Sequence, residues 1–276
     1  MNGKANGKPL IEVKTMPILE ILKRVVASGF VKNAFPLSAI IVAPVGAGKT
    51  TSLKRIAFND NILALSDVTP YGLAKLLPEI KAKNVKHIII FDLVEPMSRN
   101  RQIVNALIGF LNSLIEEGIF RISTGFIEIK EPIKLGLITA TTKKELFDKR
   151  RGWLGIGFIS RMLPISYSFT EVDVIQILED LANQNIKDIS YETLKLKEKS
   201  IKENPEINKL LIPYAQTIDA SISKGDDKPL PFRRLNQLKV LLMANALLND
   251  RKEVTNEDFE WFKSVAKWIN FEFNPV

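Results

Sequence analysis

The sequence predicts an α/β protein: a three-layer core built on a parallel sheet, followed by a small all-helical domain. Three observations predict it. Short runs dominated by apolar residues, such as Ala39–Ala43 and His87–Phe91, alternate with stretches of helical spacing. A glycine-containing loop joins the first run directly to a helix. After Thr170 the strand-like runs stop and only helical spacing continues. At roughly 150 residues per domain, the 276 residues also make about two domains' worth of chain.

Each element can be justified in order. Met1 to Pro9 is polar and rich in Gly, Asn and Lys, so residues 1–15 read as a flexible tail ahead of a core over 16–170. Ile18, Ile21, Leu22, Val25 and Val26 recur at helical spacing, in a helix that stops near Gly29. Ala39–Ala43 is a buried parallel strand, and a helix runs from Lys49 to about Phe58. Asn61–Leu65 reads as a strand, Tyr71–Lys81 as a helix, His87–Phe91 as a third strand and Arg101–Glu117 as a long amphipathic helix. Phe120–Ser123 and Phe126–Ile129, turning on Thr124-Gly125, form a hairpin. Lys134–Ala140 and Ile165–Phe169 complete the strands. Thr170 is a helix-capping residue, and 171–276 reads as helices near 171–183, 190–203, 205–221, 231–248 and 256–270. Breaks are expected at Asn183–Asn185 and at Gly225-Asp226-Asp227.

Composition excludes several classes of function. An apolar fraction of 46% and a charged fraction of 25% describe a globular chain, neither disordered nor collagen-like. Zero cysteines exclude zinc ribbons, iron–sulfur clusters and thiol nucleophiles. His87, the single histidine, is too little for a histidine-based metal site or a Ser-His-Asp triad. No apolar run reaches the roughly 18 residues of a membrane span, and the polar start lacks the apolar stretch of a signal peptide. A soluble cytoplasmic protein without membrane contact is therefore expected. Lys and Arg number 39 against 31 Asp and Glu, a net charge of +8. Such a surplus suits a polyanionic partner, nucleic acid above all, or simply a lysine-rich solvated surface.

Chemistry concentrates in two places. The segment Pro44-Val45-Gly46-Ala47-Gly48-Lys49-Thr50-Thr51 lies between a strand and a helix. It is the end of the G-x-x-x-x-G-K-[ST] pattern, whose glycines let backbone N–H groups curl round phosphates at a helix N-terminus. Lys49 then reaches the β- and γ-phosphates and the Thr50 hydroxyl ligates Mg²⁺, so the core reads as a P-loop NTPase with ATP and Mg²⁺ as ligands. Ala43 replaces the first glycine of the pattern. The second place is Ile88-Ile-Ile-Phe-Asp92, a buried strand that delivers an acid, Asp92, to the metal. The next position, where many ATPases of this kind carry a catalytic glutamate, holds Leu93. The nearest acid is Glu95: either it polarises the attacking water, or hydrolysis is slow, or it is a plain loop acid.

From Ala39 to about Asn249 these features resemble the AAA+ ATPases, especially the branch of clamp loaders and Holliday-junction branch-migration motors. Three further segments carry the resemblance. Leu137-Ile-Thr-Ala-Thr-Thr142 is similar to a first-sensor segment, which implies a hydroxyl aimed at the γ-phosphate or the attacking water: Thr142, with Thr141 in reserve. Phe158-Ile-Ser-Arg161-Met resembles a segment bearing an arginine finger, which implies that Arg161 offsets charge on a neighbouring subunit's γ-phosphate. Arg150 and Arg151 compete for that role. Pro231-Phe-Arg233-Arg234-Leu-Asn-Gln-Leu resembles the second-sensor helix of a lid, which implies that Arg233, or its neighbour Arg234, contacts the γ-phosphate.

The resemblance implies a homo-oligomeric ATPase that loads, moves or remodels something on nucleic acid, largely without regard to sequence. The clusters Lys143-Lys144 and Lys149-Arg150-Arg151 suit such a partner. The alternative is the same assembly remodelling a protein partner. Tyr71-Gly72 is the candidate aromatic pore loop for that role, and equally a turn ahead of a helix. The tip of the hairpin, Ser123-Thr124-Gly125, carries neither a basic nor an aromatic residue.

Overall fold

The computed structural model describes residues 9–117, 122–124, 127–129, 133–183, 190–222 and 229–276. Among them are seven strands: β1 (Ser38–Val42), β2 (Ile62–Leu65), β3 (His87–Ile90), β4 (Ile122–Thr124), β5 (Ile127–Ile129), β6 (Gly136–Thr141) and β7 (Met162–Ser166). β4 and β5 pair antiparallel where a hairpin is expected, but Thr124, expected in the turn, ends β4 and pairs with Ile127; Phe120, Arg121, Gly125 and Phe126 lie outside the described residues. The other five form one parallel sheet in the order β2-β3-β6-β1-β7.

β1, β3, β6 and β7 are buried from end to end. Helices cover both faces of the sheet, which is why these strands read as continuous apolar runs. Side chains still alternate between the two faces. Ala39 and Ile41 of β1 join a core with α2 (Met16–Ser28) and α3 (Lys49–Ala57); Ile40 and Val42 join another with α4 (Pro70–Ala82) and α6 (Arg101–Asn112). The amphipathic pattern of 101–117 is helical throughout, but its last turn, Ser113–Glu117, widens to a π-helix. A helix of four residues, α5 (Val94–Met97), and one of thirteen, α7 (Lys143–Gly155), were not anticipated.

The C-terminal helices are α8 (Glu171–Asn183), α9 (Pro205–Leu210), α10 (Ile212–Ile222), α11 (Phe232–Leu248) and α12 (Asn256–Val265), which a 3₁₀ turn extends to Trp268. The expected helix over 205–221 is thus two. Pro213 has no N–H to bond one turn back, and the chain restarts there. Leu238, Leu241 and Leu242 of α11 pack with Ile18, Leu22 and Val25 of α2 in one buried cluster. The anticipated breaks near 184–185 and at 225–227 lie outside the described residues.

Two expectations are corrected. Residues 190–203 are not a helix but an extended strap. Leu194 and Leu196 turn half-buried toward the core while Lys195 and Lys197 stay exposed, an alternation of period two. The strap's N–H groups bond to neighbours that a helix could not reach: Glu192 to the Arg55 carbonyl (2.7 Å), Leu194 to Asn59 Oδ1 (2.6 Å) and Lys199 to the Phe30 carbonyl (3.0 Å). The N-terminal 15 residues are also not all tail, because Leu10–Lys14 forms α1. Its Glu12 is buried and accepts a hydrogen bond from Ser190 Oγ at 2.8 Å. Residues 1–8 lie outside the described residues.

Candidate functional site

The chain runs from β1 out to β2, back through β3 and β6, and then to β7 on the far side of β1. Connections therefore diverge at β1, and in open α/β sheets the crevice at the carboxyl ends of such strands is where ligands bind. Residues 43–48 occupy that position. Gly46 and Gly48 have φ of +79° and +77°, which side chains oppose, so the loop's path depends on glycine. A Cβ on Gly46 would meet nothing, whereas one on Gly48 would press on Ile11 of α1. α3 starts at Lys49, at the end of this loop, with no side-chain cap. Lys49 Nζ donates to the carbonyls of Ala43 (3.0 Å) and Pro44 (2.8 Å). Burial lowers the Lys49 pKa, and the Asp92 carboxylate opposes that shift. Thr50 is exposed beside it and Thr51 half-buried, while Pro44 and Val45 stand exposed on the outer side of the loop.

Asp92 follows β3, and its Oδ1 accepts the Val94 N–H at 2.9 Å. β6 separates β1 from β3, so the ends of three adjacent strands present Lys49, Thr141 and Asp92. Thr141 is in register with Val42, its side chain is fully buried, and its Oγ1 has no hydrogen-bond partner among the described residues. Thr142 is engaged elsewhere: it caps α7, accepting the Glu145 N–H at 3.1 Å. Leu93 is fully buried and donates its N–H to the Ala140 carbonyl at 3.0 Å, so an acid at that position would sit in the core. Glu95 is exposed on α5, and no hydrogen bond or ion pair among the described residues ties its carboxylate to Lys49 or Asp92.

The arginines lie at the other end. Arg161 immediately precedes β7, whose first residue pairs with Ser38, the first residue of β1. These strands are five residues long, roughly 16 Å at about 3.3 Å per residue. Arg161 donates to the Gly157 carbonyl at 2.7 Å and forms an ion pair with Glu116. Arg233 pairs with the same carboxylate and donates to Ser160 Oγ at 2.9 Å. Arg233 is therefore not brought to its own phosphate loop, contrary to the second-sensor expectation; α11 packs against the start of β7 instead. Arg234 is fully buried, bonded to Asp219 (3.0 Å), the Met162 carbonyl (2.7 Å) and Gln237 (2.5 Å). Arg150 packs over the Phe147 ring and Arg151 is exposed, both on α7.

Two residues at the site escaped the sequence reading. The buried Tyr167 donates its hydroxyl to the Ala47 carbonyl at 2.7 Å and so fastens the end of β7 to the loop; burial pushes its pKa up. Glu116 holds the arginine pair together. An isolated tyrosine after a strand and an acid in a helix give no local signal of either role. Tyr71 and Gly72 lie in the first turn of α4, where Thr69 Oγ1 accepts the Gly72 N–H at 3.0 Å. No helix among the described residues is long and apolar enough to cross a membrane. No protein-family model and no curated protein matches the chain.

Proposed function

We propose that this chain is an ATPase of the AAA+ kind, acting as a homo-oligomer that couples ATP binding and hydrolysis to loading, movement or remodelling on nucleic acid. The observation that carries the reading is the convergence at the carboxyl ends of β1, β6 and β3. Two left-handed glycines, an uncapped helix N-terminus, Lys49, a buried unpartnered Thr141 hydroxyl and Asp92 meet there. Backbone N–H groups and Lys49 bind and orient the phosphates. Thr50 and Asp92 offer one hydroxyl and one carboxylate, the sparse donor set that suits Mg²⁺ held largely by phosphate oxygens and water. The metal, when bound, supplies Lewis-acid polarisation of the phosphoryl oxygens. Thr141 is preferred to Thr142 as the hydroxyl that orients the γ-phosphate or the water, because its Oγ1 is unpartnered among the described residues while Thr142 caps α7. Glu95, the nearest acid after Asp92, is the weakest member of the set, which favours slow turnover.

Arg161 and Arg233 lie a strand's length from the loop of their own chain and serve the loop of another copy. Arg161 is the finger and Arg233 its companion. The +8 charge supports the nucleic-acid reading, as do Lys143, Lys144, Lys149 and Arg151, all exposed on α7.

The test combines two variants. Lys49→Ala is expected to remain folded and lose ATP binding; Arg161→Ala is expected to bind ATP and hydrolyse it poorly. Mixed, they should recover activity, because an intact loop then faces an intact finger across a shared interface. Unchanged nucleotide affinity in Lys49→Ala would remove the basis of the ATPase reading. Mixed oligomers no more active than the two variants apart would show that Arg161 does not act in trans.

A further inference from the structure

α8 packs on α1, and α1 touches the phosphate loop. The inner side of α8 meets α1: Lys14 Nζ lies 2.5 Å from Asp173, and the Leu10 N–H donates to Asp180 at 2.7 Å. α1 in turn reaches Gly48 through Ile11. The outer side of α8 carries Val174, Ile175, Leu178 and Leu181, spaced as one helical stripe, and the last three are each more than half exposed. An apolar stripe of this kind on a surface helix is normally covered by another element. α8 has no Lys or Arg, and of its four carboxylates Asp173 and Asp180 face α1 while Glu171 and Glu179 are exposed.

At the opposite end of the sheet is a cleft of about 810 Å³ whose lining includes Arg161 and Arg233. Phe35, Leu230 and Phe232 line it with apolar surface and are 53%, 69% and 71% exposed. Among its described lining residues are three cations, Arg161, Arg233 and Lys239, and two acids, with Glu116 paired to both arginines and Glu203 to Lys239. An exposed apolar stripe beside Glu171 and Glu179, and a cleft with exposed apolar lining and one more cation than acid among its described residues, are complementary, and one chain carries both, at opposite ends.

We propose that the Ile175, Leu178 and Leu181 stripe of α8 in one copy docks into this cleft on the next copy, as an amphipathic helix in a groove. The contact is heterologous, head to tail, and extends from copy to copy. It rests on the oligomeric reading above and gives that reading its interface. α1 ties α8 to the loop, so seating α8 in the cleft carries the loop toward the neighbour's Arg161 and Arg233.

The chain has no cysteine, so Leu178→Cys and Phe232→Cys introduce its only thiols. Oxidation of the full chain carrying both is expected to give a reducible ladder of dimers, trimers and larger species. An equimolar mixture of the two single variants should stop at dimers, and each single variant alone should stay uncrosslinked. A double variant without a ladder, or Leu178→Cys linking to itself, would overturn the proposal. Leu178→Glu, at an exposed position, should leave the circular dichroism unchanged and raise the concentration for half-association at least about tenfold, as removal of one buried leucine requires. Unchanged association would equally overturn the docking. Binding of a fluorescent ATP analogue to the same proteins separates the two readings. Nucleotide bound without crosslinks sinks the docking alone; a ladder without nucleotide binding sinks the ATPase and leaves the docking standing.

Discussion

Arg233 and Arg234 are adjacent in sequence and do unrelated work. A helix turns about 100° per residue, which buries Arg234 against Asp219 and the Met162 carbonyl and leaves Arg233 in the cleft. Arg234→Met strips a buried carboxylate of its cation and a carbonyl of its donor. It should cost about 3–5 kcal/mol in urea unfolding. Arg233→Met removes a side chain that is 42% exposed and should stay within about 1 kcal/mol of the parent, while lowering ATP turnover. Equal losses of stability would contradict this division. The sequence stripe of Leu235, Leu238 and Leu242 favours Arg233 as the outward residue. What Arg233 meets was not legible, because Glu116 is 117 positions away. The loop glycines and Lys49 were legible because their geometry is local. The choice between Thr141 and Thr142 was not, since it depends on where β6 ends and α7 is capped.

At the scale of elements, the strap is the instructive case. Residues 190–203 are rich in lysine, leucine and glutamate, good helix formers, yet the Leu-Lys-Leu-Lys alternation suits an extended chain with one face on a core. Tertiary partners decide between the two. Asn59 accepts the Leu194 N–H through Oδ1 and donates to the Glu192 carbonyl at 2.9 Å. Arg55, fully buried, faces Glu12 and Glu192. Asn59→Ala should cost about 1–3 kcal/mol, since it leaves strap groups unsatisfied. It should also speed amide exchange at Glu192 and Leu194 more than in β1. Uniformly faster exchange across the molecule would mean that the strap has no independent anchor. Of the fully buried strands, β1 and β3 were legible to within one residue at each end, because burial on both faces demands apolar runs, whereas β7 was expected three residues late, at Ile165–Phe169 rather than Met162–Ser166.

At the scale of the whole molecule, the lone histidine contributes to the response to acid. His87 is fully buried, its Nε2 3.1 Å from the Leu37 carbonyl and its ring against Gly136. Burial lowers its pKa from the usual 6.5 to about 4. Below about pH 6.5 the unfolded chain binds a proton that the native chain refuses until about pH 4. Stability is therefore greatest above that window and falls through it, by about 3 kcal/mol in total. His87→Gln should flatten this part of the profile; an unchanged slope between pH 6.5 and 5 would assign it to other groups. One further consequence concerns β7. Arg161 stands at one end of this buried strand and Tyr167, bolted to the loop through the Ala47 carbonyl, at the other. In the oligomer proposed above, β7 would link the loop's contents to the arginine offered to the next copy. Tyr167→Phe keeps the ring and removes the bolt, so hydrolysis should persist while its dependence on ATP concentration loses cooperativity, with a Hill coefficient near one.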